Sequence, residues 1–384
     1  MTSSTYHRDT TPAPTDRVPP ERVRRVLVTK LRHHGDVLLA TPVITVLKRA
    51  FPDAEIDALV YAETAAMIAG HPSLTKLFTI DRNWKRSGIV VQVREELRLL
   101  RAMRARGHDL LVHLTEHPRG LVLALLLRPR WSVTRARRPD EHPRLWKEAF
   151  THFYSLPQGR SRHTVETNLD ALRRIGISPQ SADKRLVIVP DDAARRRIDA
   201  LLVTHRLVAG RFAQLHPGSR WLFKTWPAAR AALLVEKLVA GGLDVVITGA
   251  PDAREREIVA ELLAALTPVV RANVRDVTGQ LSLVELAALT QRARIFIGVD
   301  SAPMHIAAAV GTPAVALFGP SDEIEWRPWQ VAHRVVVSRE FPCRPCRNDG
   351  CGGGKASECL TTLGVEPVAA AVDALLEETA ATPT

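Results

Sequence analysis

One stretch near the N-terminus decides the fold: VLVTKLRHHGDVLLATPVITVLKRA, residues 26–50. Val26 to Thr29 is short and apolar, which predicts a buried strand, and Val37 to Ala50 has the apolar spacing of a helix. The loop between them, Lys30 to Asp36, contains a glycine and ends in a carboxylate. A buried strand that leads through such a loop into a helix is the repeating unit of a parallel sheet. The stretch therefore predicts an α/β protein.

The same alternation of strand and helix recurs along most of the chain. Further strands are predicted at Glu55–Tyr61, Asp109–Leu114, Trp131–Thr134, Arg185–Val189, Phe212–Leu215, Asp244–Thr248, Arg294–Ile297 and Ala314–Phe318. Further helices are predicted at Val93–Arg106, His163–Ile175, Pro227–Ala240, Ala302–Val310 and Val365–Glu378. The alternation restarts after Pro190-Asp191-Asp192. We therefore expect a disordered tail over residues 1–20, followed by two domains of similar architecture, 21–190 and 191–384.

Composition places the chain among globular proteins and limits its partners. Of the 384 residues, 46% are hydrophobic, and the longest apolar run, Gly120 to Leu127, is too short to cross a bilayer. The first 20 residues are polar and lack the apolar block of a secretion signal, so we expect a cytoplasmic protein. The net charge of +12 favours an anionic partner. Because no aromatic residues interleave with the basic ones, nucleic-acid binding is not expected. A solvated basic face and loose attachment to anionic lipid headgroups remain.

Three loops contain the candidate chemistry, and each follows a predicted strand, where open parallel sheets place their ligands. In the first loop, Asp36 is either a helix N-cap or a free carboxylate. The second loop, His216 to Pro227, holds Lys224 shortly before a helix. Lys224 is either a cation for a diphosphate or an exposed surface residue. The third contains Gly298-Val299-Asp300-Ser301, whose helix start can hold a phosphate, and His305, which is either part of that site or a core histidine.

A fourth candidate is the loop Gly249 to Asp252, where Asp252 or Glu255 can accept hydrogen bonds from ribose hydroxyls. The chain has no G-x-G-x-x-G after its first strand, no P-loop and no G-x-S-x-G motif, which argues against dehydrogenase, P-loop and serine-hydrolase functions. It also has no D-x-D sequence, so a metal that bridges a diphosphate is not expected. The only four cysteines, Cys343, Cys346, Cys351 and Cys359, form either a structural zinc site or a reduced loop.

Taken together, these segments resemble the heptosyltransferase family of lipopolysaccharide inner-core synthesis, glycosyltransferase family 9. The resemblance lies in the opening strand with its Gly-Asp loop (Val26–Thr41), in the His-Pro-Gly loop that leads to Lys224 and Trp226-Pro227, and in Gly298-Val299-Asp300-Ser301 with His305 and Gly311-Thr312-Pro313. It covers nearly all of the chain from Arg25 onward. Within the family, the loop 30–36 and the stretch Cys343–Leu363 are most similar to the heptosyltransferase III branch, which adds a branch heptose to the second core heptose.

The resemblance implies a GT-B fold, in which two facing Rossmann-like parallel-sheet domains enclose an interdomain cleft. It implies ADP-heptose as the donor, bound by the C-terminal domain, and a lipopolysaccharide core acceptor, bound by the N-terminal domain. It also implies a protein that is peripheral to the cytoplasmic face of the inner membrane, whose anionic surface is a partner. No cofactor and no metal are expected.

The functional residues of the family carry over position by position. Asp36 matches the catalytic base and Lys224 the lysine at the donor diphosphate. Further donor contacts are expected from Asp300, Ser301, Ala302, His305, Ser219, Asp252 and Glu255, and acceptor contacts from Lys30, Arg32 and His33. Relatives often have Thr-Gly where this chain has Ser301-Ala302. The expected reaction is a single displacement with inversion at the anomeric carbon. The alternative is a non-catalytic module that binds a nucleotide or an acidic glycolipid.

Overall fold

Two parallel sheets form the centre of the structure, a computed structural model that describes residues 16–136, 143–156 and 161–380. The first sheet contains β1 (Arg25–Thr29), β2 (Glu55–Tyr61), β3 (Lys76–Ile80), β4 (Leu110–His113), β5 (Trp131–Arg135) and β6 (His152–Tyr154). The second contains β7 (Phe212–His216), β8 (Asp244–Ile247), β9 (Val274–Asp276), β10 (Ile295–Val299), β11 (Ala314–Phe318) and β12 (His333–Val337). The α/β architecture with two parallel sheets is confirmed.

Both sheets have the same strand order. The first runs β3-β2-β1-β4-β5-β6 and the second β12-β11-β10-β7-β8-β9, and every adjacent pair is parallel. In each half the first and fourth strands are therefore neighbours, β1 beside β4 and β7 beside β10. This is the doubly wound order, and its ligands bind beyond the carboxyl ends of the strands where the order reverses.

Helices cover the sheets. In the first half they are α1 (His34–Leu38), α2 (Thr41–Ala50), α3 (Ile89–Arg104), α4 (Pro118–Leu127), α5 (Arg144–Ala149) and α6 (Thr164–Arg174). In the second half they are α7 (Asp192–His205), α8 (Ala228–Ala240), α9 (Ala253–Ala264), α10 (Pro268–Arg271), α11 (Leu283–Arg292), α12 (Ala302–Val310), α13 (Glu323–Trp326), α14 (Glu358–Thr361) and α15 (Val365–Ala380). Within the described residues, none of these helices combines the length and the apolar character needed to cross a membrane.

A hydrophobic core lies on each side of the first sheet. On one side Val26 and Val28 of β1 pack with α1, α2 and α6, and on the other side Leu27 packs with α3 and α4. The first of these cores continues into the second half of the chain, because it includes Leu286 of α11 and Ile306 of α12. Helix α1 also packs directly against α12. Apolar packing therefore joins the two halves.

The predicted helix Val37–Ala50 is in fact two helices. α1 ends at Leu38 and α2 begins at Thr41. Pro42 has no N–H, so it cannot donate the backbone hydrogen bond to Leu38 that a continuous helix needs. The hydroxyl of Thr41 donates to the Leu38 carbonyl instead, at 2.7 Å. The chain can therefore turn after α1, the short helix that contains Asp36.

The predicted strand Arg185–Val189 is wrong. Leu186 and Ile188 are buried in the first core, but the segment pairs with no strand among the described residues. The Val187 N–H donates to Oγ1 of Thr41 at 3.0 Å. The alternating burial in this segment therefore reflects packing beside α2 and not sheet formation.

The ends of the chain and of the sheets also differ from the predictions. The sequence patterns do not predict β3, β6, β9 and β12, which are the edge strands of the two sheets.

The prediction of a disordered tail is wrong for residues 16–20, because Val18 is buried and its N–H donates to the Ile175 carbonyl at 3.0 Å. Residues 1–15 of that tail lie outside the described residues. The division at 190/191 stays a prediction; α7 begins there and has Asp191 as its N-cap.

Four buried histidines determine how stability should depend on pH. Burial lowers the pKa of His113 and His163 to about 3 and the pKa of His71 and His305 to about 4. Below the ordinary histidine pKa of about 6.5, the unfolded chain binds protons that the folded chain does not bind. The contribution of each buried histidine to the free energy of unfolding is therefore fully present above about pH 6.5. It is lost as the pH falls towards the folded pKa, by up to about 1.4 kcal/mol per pH unit for each histidine.

Urea unfolding followed by tryptophan fluorescence at about pH 7.5 and about pH 5.5 measures this dependence. We expect a lower unfolding midpoint at the acidic pH. The drop should be smaller for His113→Asn, because asparagine does not titrate and can still bond the hydroxyl of Thr29, which lies 2.6 Å from Nδ1 of His113. An unfolding midpoint that is constant between these pH values would contradict the burial of neutral imidazoles.

Candidate functional site

A cavity of about 1330 Å³ lies between the two halves, beyond the carboxyl ends of β1, β7 and β10. The first half contributes the loop after β1 and the start of α1, namely His33, His34, Gly35 and Asp36. The second half contributes the loops after β7, β8 and β10, including Ser219, Arg220, Trp221, Lys224, Asp252, Glu255, Asp300, Ser301, Ala302 and His305. The volume is ample for a ligand the size of a nucleotide.

Asp36 is the third residue of α1 and lines the cavity. The N-cap of α1 is His33, so the interpretation of Asp36 as an N-cap is wrong. Among the described residues, its carboxylate has no hydrogen-bond or ion-pair partner. An unpaired carboxylate at a cavity wall is available to accept a proton from a bound hydroxyl.

Lys224 and Asp300 form an ion pair on the second-half side of the cavity. Nζ of Lys224 lies 2.5 Å from Oδ2 of Asp300. Lys224 ends the 3₁₀ turn Leu222–Lys224 that follows β7, and Asp300 follows β10, the strand next to β7. Asp300 is 5% exposed, whereas the side chain of Lys224 is 21% exposed. The pair holds the ammonium in place and leaves it N–H bonds for an anion.

The N-terminus of α12 adds a second positive region beside this pair. Ser301 is the N-cap of α12, but its hydroxyl lies 3.2 Å from the Val299 carbonyl and donates to it, so it does not cap the helix. Pro303 has no N–H, and the Met304 N–H donates to the Ser301 carbonyl at 3.2 Å. Among the described residues, the Ala302 N–H is therefore the first-turn donor that is left for a ligand. Ser301, Ala302 and Pro303 all line the cavity. A helix start of this kind favours a bound anion.

His305 lies near enough to Asp36, Asp300 and Lys224 for their charges to affect its pKa. Its ring is buried, and a Cβ placed on Gly35 would lie 2.9 Å from its Cδ2. Burial lowers the pKa of His305 to about 4, although Asp300 and Asp36 oppose this effect and Lys224 adds to it. His305 is therefore neutral at physiological pH. Its Nδ1 is buried and has no hydrogen-bond partner among the described residues.

Asp252 and Glu255 line the cavity from the start of α9. Oδ1 of Asp252 accepts hydrogen bonds from the N–H groups of Arg254 and Glu255, each at 3.1 Å, so Asp252 is the N-cap of α9. Oε2 of Glu255 accepts a hydrogen bond from the Ala250 N–H at 2.7 Å and lies 3.4 Å from Nε2 of His216. Burial acts to raise the pKa of Glu255, but these two partners hold it below its ordinary value. A ribose hydroxyl that bonded to either carboxylate would do so beside the backbone N–H groups and the His216 ring that already contact it.

Lys30 and Arg32, expected to contact an acceptor, do not line the cavity. The N–H of Lys30 donates to the Leu59 carbonyl at 3.1 Å and continues the pairing of β1, which places the side chain in the protein interior. Its ammonium donates to the Leu114 carbonyl at 3.3 Å and to Oδ1 of Asn168 at 3.0 Å. Burial lowers the pKa of Lys30. Arg32 is exposed outside the cavity.

His33, predicted to contact the acceptor, lines the cavity and contacts the second half. Nη1 of Arg220 lies 3.4 Å from Nδ1 of His33, and the ring of Trp221 meets the His33 ring edge-on with 6.0 Å between the ring centroids. Ser219, also expected, is buried at the cavity wall. Arg220 and Trp221 belong to the loop after β7, but the sequence patterns do not single them out. Polar and aromatic side chains in a loop after a central strand are the signal that would have found them.

The cysteine-containing stretch reaches the cavity through Lys355, which the sequence patterns do not single out either. The four cysteines form no disulfide; Cys359 is buried, whereas Cys343 and Cys351 are exposed. Burial, together with the three neighbouring thiols, raises the pKa of Cys359 against the opposing effect of Arg344. Over residues 16–136, 143–156 and 161–380, no group of three or more His, Cys, Asp or Glu side chains is arranged to hold a metal ion.

Comparison with known proteins identifies the family. The family model described as glycosyltransferase family 9 (heptosyltransferase) matches residues 97–356, more than half of the chain. This chain belongs to glycosyltransferase family 9. Within that family, lipopolysaccharide heptosyltransferase 3 of Escherichia coli is 34% identical over 353 residues, which cover 90% of this chain and 97% of the relative. Lipopolysaccharide heptosyltransferase 1 of Pseudomonas aeruginosa is 25% identical over 92% of this chain and 98% of the relative.

Solved structures of family 9 proteins have the same architecture. A family 9 glycosyltransferase from Veillonella parvula has a TM-score of 0.76 at 24% identity, over 92% of this chain and 97% of that chain. ADP-heptose lipopolysaccharide heptosyltransferase II of Escherichia coli has a TM-score of 0.72 at 20% identity, over 93% of this chain and 100% of that chain. These likenesses concern the fold. The expected GT-B architecture of two facing Rossmann-like domains is confirmed.

Gly35 allows the contact between the two halves of this family 9 protein to be tested. Gly35→Ala places a methyl group 2.9 Å from Cδ2 of His305, so His305 or α1 must move. Alanine is favoured over glycine inside a helix by about 1 kcal/mol, so any net loss must come from this contact. We expect overpacking to lower the stability by about 1–3 kcal/mol, measured as a lower midpoint of urea unfolding.

Gly241→Ala is the control, because Gly241 follows the last turn of α8 with a φ of −75° and its added Cβ would meet no atom closer than 3.4 Å. Its unfolding midpoint should not fall. If Gly35→Ala and the wild type unfold at the same urea concentration, the close approach of α1 and α12 does not hold the halves together.

Proposed function

We propose that this protein is an inverting, metal-independent glycosyltransferase that transfers a heptose from ADP-heptose to a heptose of the lipopolysaccharide inner core, as heptosyltransferase III does. Family membership and the 34% identity to lipopolysaccharide heptosyltransferase 3 support the type of reaction. One structural observation carries the mechanism. The unpaired carboxylate of Asp36 and the Lys224–Asp300 ion pair line one cavity from different halves of the chain.

Asp36 is the proposed base. Its carboxylate accepts the proton of the acceptor hydroxyl while that oxygen forms a bond to the anomeric carbon of the donor. The bond from this carbon to the diphosphate oxygen breaks, and its electron pair leaves with ADP. Attack on the face opposite to ADP inverts the configuration. Burial lowers the pKa of His305 to about 4, so the neutral ring adds no positive charge to this part of the cavity.

Lys224 and the start of α12 are proposed to stabilise the leaving diphosphate. The ammonium of Lys224 is already held by Asp300, so it reaches the phosphate without a large loss of side-chain freedom. The open N–H of Ala302 at the start of α12 adds a hydrogen bond to the same anion. With these groups in place and no D-x-D sequence in the chain, we propose that no divalent metal bridges the diphosphate.

The donor is proposed to bind the second half and the acceptor the first. Ser219, Ser301 and Ala302 line the donor side, and Asp252 or Glu255 is in reach of a ribose there. His33 lines the acceptor side beside Asp36. Because the acceptor belongs to lipopolysaccharide and is anchored in a membrane, we propose peripheral attachment to the cytoplasmic face of the inner membrane. The net charge of +12 suits an anionic lipid surface, and no nucleic acid is proposed as a partner.

Asp36→Asn separates transfer from donor binding. Asparagine keeps the size of the side chain but cannot take up a proton, so we expect kcat to fall by about 10²- to 10⁴-fold while ADP-heptose still binds. Product mass is followed with ADP-heptose and a truncated core acceptor in the presence of EDTA, and donor affinity is measured by calorimetry. Asp53→Asn, an exposed aspartate just after α2, is the control and should leave both quantities unchanged. Unchanged turnover in Asp36→Asn would remove Asp36 from the mechanism, and a wild type that binds donor without transferring it would favour a binding module.

Lys224→Gln tests the diphosphate site. Removing the ammonium deletes a charge-assisted hydrogen bond to the donor and leaves the buried Asp300 unpaired, so we expect kcat/KM for ADP-heptose to fall by about 10- to 100-fold. Lys237→Gln on α8 is the control, because Nζ of Lys237 pairs with Glu366 at 3.2 Å outside the cavity lining. Donor titrations of initial rate measure both variants. Equal losses in the two variants would place the effect in the net charge and not in the cavity.

A further inference from the structure

Exposed apolar side chains gather on two helices of the first half. On α3, Ile89 is 78% exposed, Val90 77%, Val93 51% and Leu97 43%. On α4, Val122 is 49% exposed, Leu126 43% and Leu125 38%. We call these seven side chains the α3–α4 face. They lie apart from the cavity, whose lining contains none of them.

The two helices lie side by side on one face of the first sheet. Met103 of α3 and Leu123 of α4 point into the same core, together with Leu27 of β1. A bidentate ion pair joins the helices, since Arg119 at the start of α4 donates to both carboxylate oxygens of Glu96 on α3, at 2.8 and 2.7 Å. The α3–α4 face is therefore one surface and not two separate sets of exposed residues.

Helix α4 is apolar on the side that faces outward as well as on the side that faces the sheet. Its sequence from Gly120 to Leu127 contains no polar side chain, yet only Gly120, Leu123 and Ala124 are buried. A helix that is apolar all round is normally covered on all sides. This run is too short to cross a bilayer, but a helix of this length can bury one face at the boundary between headgroups and acyl chains.

Basic side chains accompany the apolar ones. Arg94 and Arg98, next to Val93 and Leu97 on α3, have side chains that are 75% and 82% exposed. Further exposed basic residues at the ends of the two helices are Lys85, Arg86, Arg101, Arg104, Arg128 and Arg130. The carboxylates of α3 are both paired, Glu95 with Arg94 and Glu96 with Arg119. The surface therefore combines exposed apolar groups with an excess of positive charge.

This combination fits an anionic bilayer better than a second copy of the chain. A symmetric dimer built on the α3–α4 face would bring the arginines of both copies, Arg94 and Arg98 among them, into one interface, where like charges repel. In a bilayer interface the apolar side chains enter the acyl boundary while arginine stems reach up to anionic headgroups. Each basic residue near such a surface adds to the attraction.

The first turn of α3 lies at the same edge of the first sheet as the cavity. Strand β3 ends at Ile80, and the chain passes through the 3₁₀ turn Arg82–Lys85 into α3. Nη1 of Arg82 pairs with Glu63 at 3.0 Å, and the Glu63 carbonyl lies 2.8 Å from Nε2 of His34, two residues before Asp36. A membrane in contact with this edge of the first sheet would hold a lipid-anchored molecule close to the cavity.

We propose that the α3–α4 face is the surface through which this protein docks on an anionic lipid bilayer. The proposal rests on the proposed function, in which the acceptor is anchored in a membrane. Val90, Val93 and Leu97 enter the acyl boundary, and Arg94 and Arg98 bind anionic headgroups. The cavity then opens beside the membrane and receives the acceptor from it.

Vesicle sedimentation tests the proposal with the full chain. The probes are vesicles of phosphatidylcholine alone and of phosphatidylcholine with phosphatidylglycerol. The test variant is Val93→Asp/Leu97→Asp, and the control is Val203→Asp/Leu233→Asp, which adds the same charge at exposed positions of α7 and α8 where the apolar side chains are 79% and 52% exposed. Far-UV circular dichroism confirms that both variants fold.

We expect the wild type and the control to bind the anionic vesicles, less so at high salt, and the α3 variant to bind them at least about tenfold more weakly. Wild-type protein that does not bind anionic vesicles, or a control that loses as much binding as the α3 variant, overturns the proposal. So does a wild-type dimer that the α3 variant dissociates in analytical ultracentrifugation while vesicle binding is absent, since that assigns the face to a second copy.

A lipid-free core oligosaccharide as acceptor keeps this test independent of the proposed function. The α3 variant should transfer heptose to this soluble acceptor at the wild-type rate and lose transfer only to an acceptor embedded in vesicles. Wild-type protein that binds vesicles but transfers to neither acceptor refutes the transferase and leaves the docking surface standing. An α3 variant that is equally active on the embedded acceptor refutes the docking surface alone.

Discussion

The rest of the structure depends on how closely the start of α1 approaches α12. Gly35 has no side chain, and His305 therefore lies against its backbone, where a methyl group would be 2.9 Å from the ring. Beside this contact one apolar core runs from β1 through α1 into α11 and α12, so the two halves share interior packing. Close-packed interiors allow little displacement. The position of Asp36 relative to Lys224 and Asp300 is thus set by packing across the halves, without a direct bond between Asp36 and either residue.

The ionisable groups around the cavity differ in whether they are paired and in whether burial keeps them neutral. Lys224 and Asp300 are paired, Asp36 has no partner among the described residues, and His305 is neutral because burial lowers its pKa to about 4. The strand order supplies the geometry, since β7 and β10 are neighbours and their loops bring Lys224 and Asp300 together. A free base facing a cationic region is the arrangement that a displacement at a sugar phosphate needs.

The sequence predicted the central strands because they are buried on both sides and form continuous apolar runs, as Val26–Thr29 does. It did not predict the edge strands β3, β6, β9 and β12, where polar residues accompany the apolar ones and only some residues are buried. Asp36, Lys224 and Asp300 were found because each follows a central strand. Lys30 was assigned to the loop, but its N–H continues the β1 pairing. The place of Lys355 at the cavity depends on how distant segments pack, which local spacing does not encode.

A crystal structure of the protein with ADP-2-deoxy-2-fluoro heptose tests the central claim most directly. We expect diphosphate oxygens within hydrogen-bond distance of Nζ of Lys224 and of the Ala302 N–H at the start of α12. We also expect that the anomeric carbon faces Asp36 across a gap that admits one hydroxyl oxygen. A diphosphate bound away from Lys224, or an anomeric carbon turned away from Asp36, would contradict the division of roles between the two halves.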